Sequence, residues 1–316
     1  IQEVVETGVT LLNVSKWFNS VLIYTTDQNA LDEINAFPFV LSVEKSTALK
    51  VKRNDDFEKP FFANELKHSI PDEALLKSTG SGNSYDYGYA FNQIDMLNGI
   101  GLHDLGYAGQ GMIIAVLDAG FENADDVSAF DYLWENERIL GYRDFVNPQN
   151  PNIFNSHYHG TRVLSTMGAY LPGEFVGTAP EASFYLLRTE DGGSEYIIEE
   201  YNWVSGAEYA DSVGADVLNT SLGYSEFDDP SMDHSYEDLD GNTVPITIAA
   251  DIAASKGMMV VNSAGNSGNS AWQYVTSPAD GDSVFTSGAV DGSGQYASFS
   301  STGPTYDGRI KPNVVA

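Results

Sequence analysis

The sequence predicts an α/β fold in which a parallel β-sheet carries helices on both faces, preceded by a small α+β unit. Dense apolar runs over 113–117, 217–222 and 258–263 are typical of strands that are buried on both sides. Segments with helical apolar spacing alternate with these runs after about residue 85, and such alternation indicates a parallel sheet covered by helices. A polar stretch separates this region from an amino-terminal part that has its own strand and helix patterns.

Composition agrees with a globular protein and excludes several classes of function. The 316 residues are 42% hydrophobic and 12% aromatic, which is enough for one large domain and a small one. Asp and Glu outnumber Lys and Arg by 45 to 15, and the net charge of −30 argues against nucleic acids and anionic membranes as partners. The chain has no cysteine, which excludes a cysteine protease and a thiolate metal site. No apolar stretch is long enough for a predicted membrane span, which needs about 18 residues.

The amino-terminal part, residues 1–50, is predicted to form a small α+β unit. Apolar spacing predicts a helix over 1–12, and a β-branched run predicts a strand over 20–25. Asp27 can cap a helix whose apolar positions include Leu31, Ile34 and Phe37. A second apolar run predicts a returning strand over 39–43.

Residues 51–84 are polar and end in a run of Ser, Thr, Gly and Asn over 78–84. This composition is typical of an exposed linker.

The remaining elements follow in order from residue 85. Apolar spacing predicts helices over 92–103, from His159 onward, and over 196–213 and 246–256. Apolar runs predict strands over 113–118, 183–187, 217–222, 258–263 and 284–290.

Three polar residues follow or flank these predicted elements. Asp118 ends the strand over 113–118, His159 lies in the first turn of a predicted helix, and Asn266 follows the strand over 258–263 between glycines. In open α/β sheets, the edge at which parallel strands end is where sites are built. Asp118 alone would be equally compatible with a turn or a helix cap, so its interpretation depends on the other two.

The arrangement of these motifs resembles the subtilisin-like serine proteases, the subtilase family. An Asp at a strand end is followed by His-Gly-Thr opening a helix, and then by a strand that runs into Ala-Gly-Asn. The resemblance continues through 217–223, 297–304 and 311–316, and covers most of the chain after about residue 85. The order Asp, His, Ser is the subtilisin order of the triad. Segments 17–20 and 89–101 resemble the branch of secreted subtilases found in Bacteroidetes-type bacteria.

The resemblance implies a role for each of nine residues in peptide hydrolysis. His159 matches the general base, Asp118 its partner, and Asn266 the side-chain amide that stabilises the oxyanion. Ser221, Leu222 and Gly223 match the strand that pairs with the substrate backbone. Ser263, Ala264 and Gly265 match further substrate-binding positions, and the family requires no cofactor for catalysis.

The resemblance also implies an organisation into propeptide, linker and catalytic domain. Residues 1–50 resemble the later part of a ferredoxin-like subtilase propeptide, an inhibitor and chaperone, with its first strand missing. Residues 51–84 would contain the maturation site, and residues 85–316 would be a carboxyl-terminally incomplete catalytic domain. An unrelated accessory domain remains an alternative for residues 1–50.

The nucleophile is expected outside this chain. The family places its serine in a G-T-S-x-[AS]-x-P motif after the segment that matches 311–316, and Ser165, Ser300 and Ser301 stand in other motifs. We therefore expect a fragment of a secreted serine endopeptidase zymogen that is inactive alone, with its serine on a second chain of a nicked zymogen or on a longer form of this chain. Its partners would be its own propeptide and protein or peptide substrates. The alternative is a catalytically inactive subtilase-fold binding protein.

Other interpretations of the motifs are weaker. A Rossmann-type cofactor site is disfavoured because Gly109 and Gly111 precede a strand and no G-x-G-x-x-G opens a helix. His157 and His159 could form a zinc pair, but no third ligand follows at a suitable spacing.

Structural calcium is compatible with the family, although its ligands cannot be assigned. Asp125 and Asp126 are candidates. Residues 238–242 resemble the start of an EF-hand loop, but Thr243 and Ala249 stand where glycine and glutamate belong. An acidic, solvated loop at the substrate rim is the preferred interpretation of that segment.

Overall fold

The computed structural model describes residues 1–46, Lys59 and residues 84–316. Its helices are α1 (Gln2–Glu6), α2 (Gln28–Asn35), α3 (Phe91–Met96), α4 (Gly99–Asp104), α5 (Asp131–Glu135), α6 (His159–Gly168), α7 (Ile198–Ser212) and α8 (Pro245–Ser255). Its strands are β1 (Thr10–Ser15), β2 (Ser20–Tyr24), β3 (Ile113–Asp118), β4 (Ile139–Asp144), β5 (Tyr170–Leu171), β6 (Phe175–Val176), β7 (Ser183–Arg188), β8 (Val217–Thr220), β9 (Met259–Ser263), β10 (Phe285–Gly288) and β11 (Val314–Val315).

A seven-stranded parallel sheet in the order β11-β10-β9-β8-β3-β7-β4 organises the described part of the chain after residue 84. Successive side chains of β3 point to opposite faces of the sheet. Ala115 and Leu117 enter a hydrophobic cluster that also contains residues of α7 and α8. Ile114 and Val116 enter a second cluster that also contains a residue of α6. Helices therefore cover both faces, and the predicted fold class is confirmed.

The order of the strands places a crevice at the carboxyl end of β3. After β3, the chain builds β4 and β7 on one side, and then β8, β9, β10 and β11 on the other. The strand order reverses at β3, and ligand sites of open α/β sheets lie at such switch points. Asp118 is the last residue of this strand.

The amino-terminal unit is a β1–β2 hairpin packed with α1 and α2 around four buried residues, which are Val4, Val9, Ala30 and Ile34. The predicted strand over 20–25 and the helix after Asp27 are confirmed. The Asp27 side chain accepts a hydrogen bond from the Asn29 N–H at 2.9 Å, which caps α2.

Two predictions for this unit were wrong. The helix predicted over 1–12 ends at Glu6, because Gly8 adopts φ +87° and the chain then pairs as β1. The strand predicted over 39–43 is irregular backbone, with Phe39 and Leu41 exposed. Apolar spacing did not distinguish a buried strand from a surface segment here.

The amino-terminal unit packs on α7. The Asn13 amide donates to the Phe145 carbonyl at 2.8 Å and to the Asn202 side chain at 2.9 Å. The Glu208 carboxylate accepts hydrogen bonds from the N–H groups of Lys16 and Trp17 at 2.9 and 3.2 Å, and from the Ser15 hydroxyl. The predicted linker over 51–84, with its maturation site, lies outside the described residues apart from Lys59 and Ser84.

Further differences from the predicted elements have local causes. The helix predicted over 92–103 is two helices, α3 and α4, because Asn98 adopts the left-handed conformation at φ +58° between them. Strand β4 and the short strands β5, β6 and β11 were not predicted. β4 has only one buried residue, so its apolar pattern is weak.

No helix among the described residues is both apolar enough and long enough to cross a lipid bilayer.

Candidate active site

Asp118 and His159 form a buried pair at the carboxyl end of β3. The His159 Nδ1 atom lies 2.7 Å from Asp118 Oδ1 and 2.9 Å from Oδ2, and both side chains have no solvent exposure. Asp118 Oδ1 also accepts the Ala119 N–H at 2.7 Å. The expected hydrogen-bond contact between these two residues is confirmed.

Two glycines allow α6 to approach β3 closely enough for this contact. A Cβ atom on Gly160 would lie 2.4 Å from the Gly120 carbonyl oxygen and 2.9 Å from Asp118 Cβ. A Cβ atom on Gly120, which has φ +152°, would lie 2.4 Å from the His157 nitrogen. The glycine that follows His159 is therefore required by packing.

The surroundings of the pair determine what it can do chemically. Burial raises the pKa of Asp118 above its usual value, and the adjacent His159 opposes this rise. A carboxylate at Nδ1 holds the proton on that nitrogen and assigns the basic lone pair to Nε2. The pair can therefore accept a proton at Nε2 and stabilise the imidazolium that results.

A cavity of about 240 Å³ lies at the carboxyl ends of β8, β9 and β10. Five of the predicted site residues line it, which are Ser221, Ser263, Ala264, Gly265 and Asn266. Leu222 and Gly223 are not among the lining residues. The Leu222 side chain instead packs in the cluster between the sheet and α7. Asn266 and most of the predicted substrate positions therefore share one cavity, at the same sheet edge as Asp118.

The turn that carries Asn266 is supported from behind by a segment whose role was not predicted. Gly265 adopts φ +103°, and a Cβ atom there would lie 2.9 Å from Thr276 Oγ1 and 3.0 Å from Ser301 Oγ. Ser301 Oγ in turn accepts the Ser267 N–H at 3.0 Å. The sequence signal for this support was the 297–304 motif, which had been used only for the family resemblance.

The three serines outside the expected nucleophile motif make local hydrogen bonds. Ser165 Oγ donates to the Arg162 carbonyl at 2.6 Å. Ser300 Oγ accepts the Ala289 N–H at 2.9 Å, and Ser301 Oγ supports the Asn266 turn. These contacts are structural, and the location of the nucleophile stays a prediction.

The candidate metal ligands of the sequence do not come together. Asp125 and Asp126 are exposed. In the loop that resembles an EF-hand, Asp238 Oδ2 accepts the Ser235 N–H at 2.7 Å and Asp240 Oδ1 accepts the Asn242 N–H at 2.8 Å. His157 Nδ1 accepts the His159 N–H at 3.2 Å. Structural calcium stays a prediction.

The sequence motifs did not indicate a different acidic cluster that the structure contains. Among the described residues, Glu190, Glu195 and Glu199 form one group with the spacing to hold a cation. The Lys59 ammonium lies at its centre. The three residues are close in sequence, but nothing in their spacing indicated that a lysine more than 130 residues away joins them.

Comparison with known families covers both parts of the chain. A sequence profile of the Subtilase family matches residues 109–316. A profile described as the peptidase S8 propeptide domain of Bacteroidota matches residues 1–59.

Individual relatives agree with these matches. Serine protease AprX of Bacillus subtilis is 32% identical over 223 residues, which cover 66% of this chain and 46% of that protein. Subtilisin E of the same organism is 29% identical over 286 residues, which cover 90% of this chain and 59% of that protein. The chain thus spans about half the length of these relatives.

A solved structure agrees with the fold. The epidermin leader peptide processing serine protease of Staphylococcus aureus superposes with a TM-score of 0.57, over 96% of this chain and 70% of that one, at 17% identity.

Proposed function

This chain belongs to the subtilase family of serine peptidases, and from that premise we propose that it is part of a secreted serine endopeptidase in its proform. The reaction is hydrolysis of peptide bonds in proteins or peptides. The observation that carries the proposal is the buried Asp118–His159 pair, at the same sheet edge as the cavity that Asn266 lines.

Each of these groups has a defined part in the proposed reaction. His159 Nε2 accepts the proton of the attacking serine hydroxyl and later delivers it to the leaving amine. Asp118 keeps the imidazole in the required tautomer and stabilises the imidazolium. The Asn266 amide donates a hydrogen bond to the oxyanion that forms in the tetrahedral intermediate. The backbone of Ser221, Leu222 and Gly223 pairs with the peptide as an added strand.

The nucleophile in this proposal is a serine of the whole protein outside residues 1–316. Ser165, Ser300 and Ser301 make structural hydrogen bonds instead. No metal or organic cofactor takes part in this chemistry, and any bound calcium would have a structural role.

Residues 1–50 are proposed to act as the propeptide and residues 51–84 as the linker that contains the maturation site. The hydrogen bonds from Asn13 and from the segment 15–17 to α7 support this role, because they fix the unit to the catalytic domain. The match to a propeptide profile over residues 1–59 supports it independently.

The test uses the whole protein with all of its natural polypeptide. The matured wild type is expected to cleave an unstructured protein substrate, and His159→Ala is expected to lower kcat by at least about 10⁴-fold. Ser165→Ala is the matched control on the same helix and should retain wild-type activity. Residues 1–316 alone should show no turnover. Peptide binding without hydrolysis by the whole wild-type protein would contradict the proposal and support the inactive binding protein instead.

A further inference from the structure

Lys59 occupies a deep pocket formed by three glutamates. Its Nζ atom lies 2.7 Å from Glu190, 3.0 Å from Glu195 and 2.6 Å from Glu199. The Lys59 side chain is 1% exposed, and Glu190 and Glu199 are 4% and 1% exposed. Lysine side chains are almost never this fully buried in proteins unless their charge is paired.

The number of acceptors matches the donors of an ammonium group. Lysine carries three N–H donors on a compact charge, and three carboxylates approach it at hydrogen-bond distances. Burial alone would lower the pKa of Lys59, but the three carboxylates together raise it well above the usual value. Burial raises the pKa of Glu195 to about 7, although Lys59 opposes this rise. The pocket therefore holds a protonated lysine and is built around it.

The glutamates are positioned by their own neighbours as well as by Lys59. The Tyr224 hydroxyl donates to Glu190 Oε2 at 3.1 Å, and Glu199 Oε1 accepts the Tyr196 N–H at 3.3 Å. These contacts do not involve the lysine. We expect the pocket to keep its shape when the lysine leaves.

The pocket lies beside the residues that are proposed to bind the substrate backbone. Glu190 lies two residues after β7, which pairs with the strand that carries Asp118. Tyr224 directly follows the Ser221–Gly223 segment and contacts Glu190. A peptide that follows this segment therefore passes near the mouth of the pocket.

Resting on the proposed function, we propose that the three glutamates form a lysine-binding subsite of the substrate cleft, which Lys59 of the proform occupies until that segment is removed. When Lys59 has left the pocket, the buried carboxylates have no cationic partner among the described residues around them. A substrate lysine placed at one fixed position restores the contacts that Lys59 made. Endopeptidase specificity would then depend on a lysine at a position set by this pocket.

Other cations fit the pocket less well. Calcium takes six to eight oxygen ligands at about 2.3–2.6 Å, whereas Glu190, Glu195 and Glu199 each present one oxygen to the centre of the pocket, at 2.7, 3.0 and 2.6 Å from the ammonium. The planar fork of arginine suits two parallel acceptors on one carboxylate better than three carboxylates around a point. The pocket is therefore expected to prefer lysine over arginine.

The main experiment measures the specificity of the whole, matured protein. A series of otherwise identical peptides carries lysine or the neutral, similarly shaped norleucine at each position around the cleaved bond. At one position, lysine is expected to raise kcat/KM by about 10-fold or more, since a buried hydrogen-bonded charge contributes on that order. Glu199→Gln should remove this gain, so that the lysine and norleucine peptides are cleaved with similar kcat/KM. Glu226→Gln, an exposed acidic control near Tyr224, should retain the gain.

A binding experiment on the proform gives a readout that needs no catalysis. Lys59→Ala leaves room for propylammonium, which carries the missing charge and the three missing carbons, and its addition is expected to raise the melting temperature saturably. The wild type and the Lys59→Ala/Glu199→Gln variant should not respond. If Lys59→Ala does not fold, Lys59→Met preserves the stem. In that case the readout is the loss of stability of Lys59→Met relative to wild type, which should be absent when both proteins also carry Glu199→Gln.

The outcomes separate the inference from the proposed function. Cleavage of every peptide at equal rates, with or without lysine, would overturn the subsite and leave the endopeptidase intact. Rescue of Lys59→Ala by Ca²⁺ but not by propylammonium would overturn it in favour of a metal site. If no peptide is cleaved, the proposed function fails, and the role of the pocket in binding substrate lysine fails with it. The rescue of Lys59→Ala then still shows whether the pocket binds an ammonium group.

Discussion

Replacement of Gly160 by alanine should separate helix α6 from strand β3 and disturb the Asp118–His159 pair. The added Cβ would lie 2.4 Å from the Gly120 carbonyl oxygen, which is backbone and cannot rotate away. Overpacking of this kind costs about 1–3 kcal/mol, and the helical preference of alanine over glycine returns about 0.5–1 kcal/mol. We therefore expect a net loss of up to about 2.5 kcal/mol in the free energy of unfolding.

The same displacement should reduce activity more than stability. His159 precedes Gly160 directly, so a shift of the helix changes the geometry between Asp118 and the base. A misplacement of about 1 Å in a catalytic group can cost on the order of 10²-fold in rate.

The assay for Gly160→Ala combines denaturant unfolding with kcat on a peptide substrate, both with the whole protein. Gly193→Ala is the matched control, because a Cβ there meets only Asp191 Oδ1 at an ordinary 3.6 Å. Wild-type stability together with wild-type kcat in Gly160→Ala would refute the packing argument.

Three further predictions address the base, the propeptide and pH. Asp118→Asn should lower kcat by about 10⁴-fold with little loss of stability, because it changes the tautomer and not the packing; steady-state kinetics and thermal melting check this. Glu208→Gln should destabilise the proform by about 1–3 kcal/mol, because the Glu208 carboxylate accepts three hydrogen bonds from residues 15–17. Amide hydrogen exchange in β1 should become faster in this variant. Glu3→Gln, at an exposed position, is the control and should change neither the stability nor the exchange. Burial would lower the pKa of His234, but its hydrogen bond to Glu200 raises it above the usual value. The stabilisation from this pair is therefore complete below about pH 6.5 and decreases as pH rises through the raised pKa, and His234→Gln should remove that part of the pH dependence in unfolding experiments.

The sequence by itself determined the sheet and the residues at its edge. The runs that became β3, β8 and β9 are rich in apolar residues, and β3 is buried from Ile114 onward because helices cover both faces of the sheet. Because parallel strands end at one edge, the polar residues that follow them were expected to meet there. The contact between Asp118 and His159 followed from motif order, 41 residues apart in the chain.

The secondary structure of segments with a weak or misleading apolar pattern depends on their neighbours in the folded chain. β4 carries exposed residues and is a strand because it pairs with β7. The 39–43 run is apolar, yet Phe39 and Leu41 remain on the surface. The spacing of apolar residues along the sequence does not show whether a partner strand lies beside a segment in the folded protein.

The glutamate pocket was decided by the tertiary structure alone. Glu190, Glu195 and Glu199 belong to an acidic stretch that resembles many solvated surfaces in this highly acidic chain. Their meaning depends on Lys59, which reaches them from 131 residues away, and on Tyr224, which lies on another segment. Burial and charge pairing between distant segments are properties of packing, and a single sequence without contacts carries no direct signal for them.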